Sequence, residues 1–207
     1  LTADGRLVLL HDPWLSATTT MHGWAHQTMW NELRRCRLRD RYGVVTDQAP
    51  MLLEQLLELA PRELPVQIEV KAHGDPELAR TTAAEVCRVA APQADSRSVE
   101  LLSFHTRACE EAARRGLPTR LVIWADYAPG ALVRWATNAG VGGVCIEHFL
   151  LHPTLVGRLH AGGLSVNTGT INDATLAVWA ASLGVEAITT DRPAALRREL
   201  VAVPLAA

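Results

Sequence analysis

Short apolar runs alternate with longer amphipathic stretches along almost the whole chain. The runs fall at Leu7–Leu10, Val66–Val70, Val99–Leu102, Arg120–Trp124, Gly143–Ile146, Leu164–Val166 and Ala187–Thr189. Each is bounded by Gly, Pro or polar residues, as buried parallel strands are. Between them, the pattern predicts helices near Met51–Ala60, Pro76–Ala90, Thr106–Arg115, Gly130–Ala139, Pro153–Ala161, Asp173–Leu183 and Ala194–Leu200. Several helix ends are marked. Asp75-Pro76 reads as an N-cap followed by Pro in the first turn, Asn172-Asp173 can cap another helix, and Gly116 and Gly140 stand where a left-handed C-cap is needed.

Strands alternating with helices imply a parallel sheet with right-handed crossovers, either doubly wound or closed into a barrel. The pattern alone leaves both open. No linker, low-complexity tract or second core interrupts it, so residues 1–207 are expected to form a single α/β domain. At 207 residues the chain is short for a full (β/α)8 barrel of roughly 250.

Composition narrows the function classes. Hydrophobic residues make up 48% and charged residues 20%, with a formal net charge of −2, which suits a compact domain and lacks the basic stripe of a nucleic-acid binder. No apolar run approaches the roughly 18 residues that span a bilayer; the expectation is no nucleic acid, no transmembrane segment and a cytoplasmic location. Cys36, Cys87, Cys109 and Cys145 have neither zinc nor redox spacing and are expected to be reduced.

In either α/β architecture, reactive groups gather at the C-terminal ends of parallel strands. The polar residues that end the runs are therefore the informative ones: His11-Asp12, Glu69 and Lys71, Ser103-Phe104-His105, Trp124-Ala125-Asp126, Glu147-His148 and Thr190-Asp191. Glu69 and Lys71 lie two apart on a strand and so share a face. A carboxylate and an ammonium there form either a strand-end ion pair or a site for a metal and an anion. His11 suits proton transfer near neutral pH; the alternative is a His capping a strand before the turn at Asp12-Pro13. The i, i+4 pairs His22/His26 and His148/His152 resemble zinc spacing, but Gly23 and Pro153 deny them a continuous helix.

Taken in order, these ends resemble the glycerophosphodiester phosphodiesterase family. The stretch from Leu1 to Pro13, with Asp4-Gly5 and His11-Asp12, is similar to the family's His-Asp strand. Thr18-Thr19, Gly23, Asn31-Glu32-Leu33 and Pro50-Met51-Leu52 follow as in the family. Ile68-Glu69-Val70-Lys71 resembles its Ile-Glu-Leu-Lys, Ser103-Phe104 its Ser-Phe, and Thr190-Asp191-Arg192-Pro193 its closing Thr-Asp-x-Pro.

The resemblance implies a TIM (β/α)8 barrel of the phospholipase-C-like phosphodiesterase type, with the first β/α unit missing from this chain. The family's His-Arg-Gly and Glu-x-Asp segments have no counterpart in it, and Gly169-Thr170-Ile171-Asn172 stands where Trp-Thr-Val-Asn is usual. It further implies metal-dependent hydrolysis of glycerophosphodiesters, small-molecule substrates, to glycerol 3-phosphate and an alcohol. His11 and Lys71 would be catalytic, Glu69 would bind Mg2+ or Ca2+, and Lys71, Phe104 and Glu147 would contact substrate. These residues alone are expected to be inactive. The alternative is a non-catalytic barrel that binds a phosphoester.

Overall fold

The computed structural model describes residues 1–93 and 97–202, which fall into two compact units, Leu1–Leu117 and Pro118 onward. The first unit runs β1 (Val8–Leu9), α1 (Leu15–Thr18), α2 (Trp30–Leu33), β2 (Met51–Leu52), α3 (Leu53–Leu59), β3 (Val66–Val70), α4 (Pro76–Ala90), β4 (Val99–Ser103) and α5 (Thr106–Arg114). The second runs β5 (Thr119–Ile123), α6 (Pro129–Ala139), β6 (Gly143–Glu147), α7 (Pro153–Ala161), β7 (Ser165–Gly169), α8 (Ala174–Ser182), β8 (Ala187–Ile188) and α9 (Pro193–Ala202).

In the first unit β3 and β4 are parallel, in a register that sets Val66 opposite Val99 and Val70 opposite Ser103. Alternation decides what each face of β3 does. Ile68 and Val70 are buried with Leu101, Ala79, Ala83, Val86 and Ala108 in the core beneath α4 and α5. Gln67 and Glu69 stay on the open face. A fully buried leucine such as Leu101 contributes about 1.5–3 kcal/mol by leaving water, which is what holds the sheet to its helices. α4 starts as the sequence predicts: the Asp75 carboxylate accepts from the Glu77 and Leu78 N–H groups at 2.9 and 3.0 Å, with Pro76 in the first turn.

The Leu7–Leu10 run departs from expectation. It is not a parallel strand. β1 pairs antiparallel with β2, Val8 opposite Leu52 and Leu9 opposite Met51, just before the chain enters α3. Leu7 and Leu9 pack on the main core, whereas Val8 and Leu10 pack on a small second cluster of Leu15, Ala25, Leu33 and Cys36. Both faces are covered, so the run is apolar throughout and imitates a buried parallel strand. Six parallel strands are thus present among the described residues, against seven expected.

In the second unit β5, β6, β7 and β8 are parallel neighbours in that order. Gly143 is required where β6 passes its neighbours: a Cβ there would stand 2.5 Å from both the Arg120 guanidinium and the Ser165 hydroxyl. Gly140 closes α6 at φ 72°, and in the first unit Gly116 has φ 80° after α5, both in the left-handed region the sequence predicts. None of the four cysteines is in a disulfide, and burial pushes the Cys109 thiol up to about 12.

Candidate active site

At the C-terminal end of β3 the chain reads Glu69-Val70-Lys71, and the pleat turns both charged side chains to the same face. Lys71 Nζ donates to Glu69 Oε1 at 2.6 Å, with the two side chains 27% and 31% exposed. Gln67, two residues earlier on that face, donates to Glu100 of β4 at 2.7 Å. Partial burial makes the pair stronger than a surface bridge, yet water still screens it. Removing Glu69 would leave an ammonium without a counter-charge at the strand end.

His11 lines a groove with this pair. This groove, about 400 Å3, is lined by Leu9, Leu10, His11, Leu56, Glu69 and Lys71 among others. A narrower apolar slot of about 70 Å3, reaching Leu7, Leu53 and Val70, also touches Glu69 and Lys71. The His11 ring is 81% exposed and its Nδ1 meets Asp12 Oδ2 at 3.0 Å. The carboxylate thus orients the ring and leaves Nε2 toward solvent. His11, Glu69 and Lys71 all line this groove.

Phe104 follows Ser103 out of β4 and is 38% exposed. Ser103 is wholly buried and ties the two strand ends together. Its Oγ donates to the Val70 carbonyl at 2.7 Å and accepts from the His105 N–H at 3.1 Å. Glu147, the remaining substrate-binding expectation, ends β6 opposite Gly169 in the second unit and precedes the 3-10 turn His148–Leu150.

The structure also assembles side chains that strand-end reasoning did not join. His73 and Gly74 form the turn after β3 with φ of 45° and 75°, and Asp75 N–H returns to the Ala72 carbonyl at 2.9 Å. The His73 ring meets Trp24 edge-on at 4.1 Å, and Trp24 in turn meets Trp14 at 4.7 Å. His26, in the 3-10 turn Ala25–Gln27, lies 6.1 Å from Trp24 between ring centres. The only sequence signal for this cluster was the density of His and Trp in two separate segments. Burial lowers the His105 imidazole below its ordinary value, against the opposing pull of Asp75. Hydrogen bonding to the Leu78 N–H, aided by His26 and His105, holds the Asp75 carboxyl below the usual range.

Thr190 and Asp191, also singled out as strand-end groups, have structural duties in the second unit. Asn172 Oδ1 accepts from Thr190 Oγ1 at 2.8 Å and from Asp191 N–H at 3.0 Å, while its Nδ2 donates to Asp191 Oδ2 at 2.8 Å. Arg192 Nε donates to the Asn172 carbonyl at 2.8 Å. This latch joins the loop after β7 to the loop after β8.

Glu69 is the candidate metal ligand, but among the described residues no three His, Cys, Asp or Glu side chains converge as a metal site. With its carboxylate committed to Lys71, Glu69 does not make a metal centre by itself.

The model of the Glycerophosphoryl diester phosphodiesterase family matches residues 1–195, across both units. The curated relative YhdW of Bacillus subtilis (strain 168), which carries a glycerophosphodiester phosphodiesterase name, is 24% identical over 199 residues, 93% of this chain and 80% of its own length. Among solved structures, an Oleispira antarctica phosphodiesterase in complex with the product sn-glycerol-3-phosphate is similar at TM-score 0.84 and 21% identity, covering 98% of this chain and 82% of that one. A glycerophosphodiester phosphodiesterase from Parabacteroides distasonis gives TM-score 0.79 at 24% identity, with 98% and 81% covered. These likenesses give the fold as the TIM-barrel type of the phosphodiesterases. The extent of the family match then settles the assignment: the chain belongs to the glycerophosphoryl diester phosphodiesterase family, and is a phosphoric diester hydrolase by kind.

Proposed function

We propose that this protein hydrolyses glycerophosphodiesters to glycerol 3-phosphate and an alcohol, with His11, Glu69 and Lys71 as its working groups. The observation that carries this reading is their common groove, lined by an ammonium for phosphoryl oxygens, a carboxylate that fixes it, and an imidazole. Lys71 stabilises the charge that grows on the phosphoryl oxygens. His11, oriented through Nδ1 by Asp12, is placed to pass a proton from Nε2 to the departing alkoxide as the P–O bond breaks. Water supplies the oxygen that replaces it. Phe104 would wall the substrate at the end of β4. The small-molecule ligand is supported by the glycerol phosphate bound in the Oleispira relative.

Glu69 is further proposed as one oxygen ligand of Mg2+ or Ca2+, hard cations that favour carboxylates. The described residues offer no complete ligand set, so the steps above are assigned only to the chain's own side chains. That same observation favours a second reading, a barrel that holds a phosphoester without cleaving it. Turnover of glycerophosphocholine with and without EDTA separates the two. The first reading expects EDTA-sensitive turnover that Glu69→Ala removes. Metal-independent turnover, or full activity in Glu69→Ala, overturns it; binding of glycerol 3-phosphate without any turnover establishes the second.

A further inference from the structure

The formal charge of −2 is unevenly spread along the chain. Between α2 and β2, residues 34–46 carry five arginines and a single carboxylate, with Glu32 and Asp47 flanking them. Arg34, Arg35, Arg37 and Arg41 are exposed. Among the described residues none of the five arginines is ion-paired to an acidic side chain.

This segment folds back on itself as a small hairpin. The Thr46 N–H donates to the Leu38 carbonyl and the Asp40 N–H to the Val44 carbonyl, both at 2.9 Å. Arg39 faces Val45 in an antiparallel bridge, so Arg37, Arg39 and Arg41, spaced by two, share a face with that valine. The other edge is tied down: the Arg39 N–H reaches the Thr18 carbonyl at 2.8 Å, and Cys36 is buried at the hairpin's base beside Leu33. The turn is equally fixed. The Asp40 carboxylate accepts from the Tyr42 and Val44 N–H groups at 2.9 Å, as an Asx turn does, and Gly43 takes φ 80°. Arg39 braces it from behind, with Nε on the Thr19 carbonyl and Nη1 on the Gly43 carbonyl, each at 3.0 Å. The carboxylate is therefore spent on the turn, and the other arginines keep their charge for something outside the chain.

What the turn projects is apolar. Tyr42, Val44 and Val45 are 74%, 60% and 48% exposed, and the Arg41 guanidinium lies 4.8 Å over the Tyr42 ring. One exposed apolar side chain is ordinary. Three within four residues, at a rigid tip and surrounded by cations, match the boundary between lipid headgroups and acyl chains, where apolar groups sink and arginines stay with the phosphates. Nucleic acid would use the charge but not the valines, which offer bases no flat face to stack on.

We propose that the hairpin of residues 38–48 is a docking element for an anionic bilayer. Tyr42, Val44 and Val45 enter the headgroup boundary, and the exposed arginines around them meet the phosphates of acidic phospholipids. Because the turn is already ordered, little conformational freedom is lost on docking. Attachment is reversible and weakens with salt, which screens each charge. It is independent of what the groove at Glu69 and Lys71 does.

Cosedimentation of the protein with phosphatidylcholine vesicles, with and without added phosphatidylglycerol, tests this without any measurement of turnover. The protein should sediment with the phosphatidylglycerol vesicles, stay behind with pure phosphatidylcholine, and be released by added salt. Arg34→Gln, Arg37→Gln and Val44→Ser should each weaken partition about fivefold, the scale of one basic side chain at an anionic surface or of one half-exposed valine leaving water. All three positions are exposed, and circular dichroism verifies that each variant keeps the fold. No sedimentation, equal sedimentation with both lipid compositions, or partition unchanged in the variants overturns the proposal. So does a loss confined to the arginine variants together with tighter binding of a single-stranded oligonucleotide, which would make the hairpin a nucleic-acid contact instead.

Discussion

Replacing Ser103 with Ala removes one oxygen atom, and the structure says what that oxygen does. It donates to the Val70 carbonyl at 2.7 Å and accepts from the His105 N–H at 3.1 Å, in a position with no solvent exposure. Water cannot replace it at the Val70 side, so that acceptor loses a partner, while the half-buried His105 N–H can recover part of its bond. Stranding buried polar groups in this way costs about 1–3 kcal/mol. For a domain of this size that corresponds to a fall of roughly 2–10 °C in Tm. Urea unfolding of wild type and Ser103→Ala, followed by circular dichroism, measures it. Phe104→Leu, one residue along and partly exposed, is the control and should shift stability by no more than about 0.5 kcal/mol. A Ser103→Ala protein as stable as wild type would refute the reasoning, because it would mean that β3 and β4 do not depend on this clamp.

Other outcomes follow from the same geometry. Asn172→Ala should destabilise by about 0.5–1.5 kcal/mol, since three solvent-exposed bonds to Thr190 and Asp191 vanish; Asn172→Asp should cost more at neutral pH by setting a second carboxylate against Asp191. Thermal unfolding compares the two, and an Asp variant more stable than Ala would contradict the latch. Glu111, 6% exposed on α5, is held below the ordinary carboxylate range chiefly by its hydrogen bond from Arg114, with Arg115 adding to it. A depressed folded-state value means that its stabilisation is present above the unfolded-state value of about 4.3 and is lost as pH falls through the folded one. The stability gap between wild type and Glu111→Gln should therefore be present at neutral pH and close in acid. A gap that is equal in urea titrations on both sides of that window would contradict the assignment.

The sequence conveyed the helices more faithfully than the strands. α4 and α7 begin where predicted, because Asp75-Pro76 and Pro153 mark their first turns. Leu7–Leu10 misled because apolar continuity reports that both faces are covered, and two separate clusters cover them as effectively as two helical layers. Glu69 and Lys71 were legible from strand period alone. The Trp24–His73 contact was not, since its two rings come from residues some fifty positions apart and no local period links them. Thr190 and Asp191 were legible as strand-end polar groups, but their bonds to Asn172 were not: strand-end position identifies polar groups at a barrel's active rim, and it does not say which partners they meet within the chain.

The most direct test of the central claim is product identity, read by phosphorus NMR on glycerophosphocholine incubated with the protein. The account predicts conversion of the diester signal to sn-glycerol 3-phosphate, slowed about 100-fold or more in His11→Ala, the scale of a lost proton-transfer group. Persistence of the diester with the wild-type protein, or an undiminished rate in His11→Ala, would contradict it.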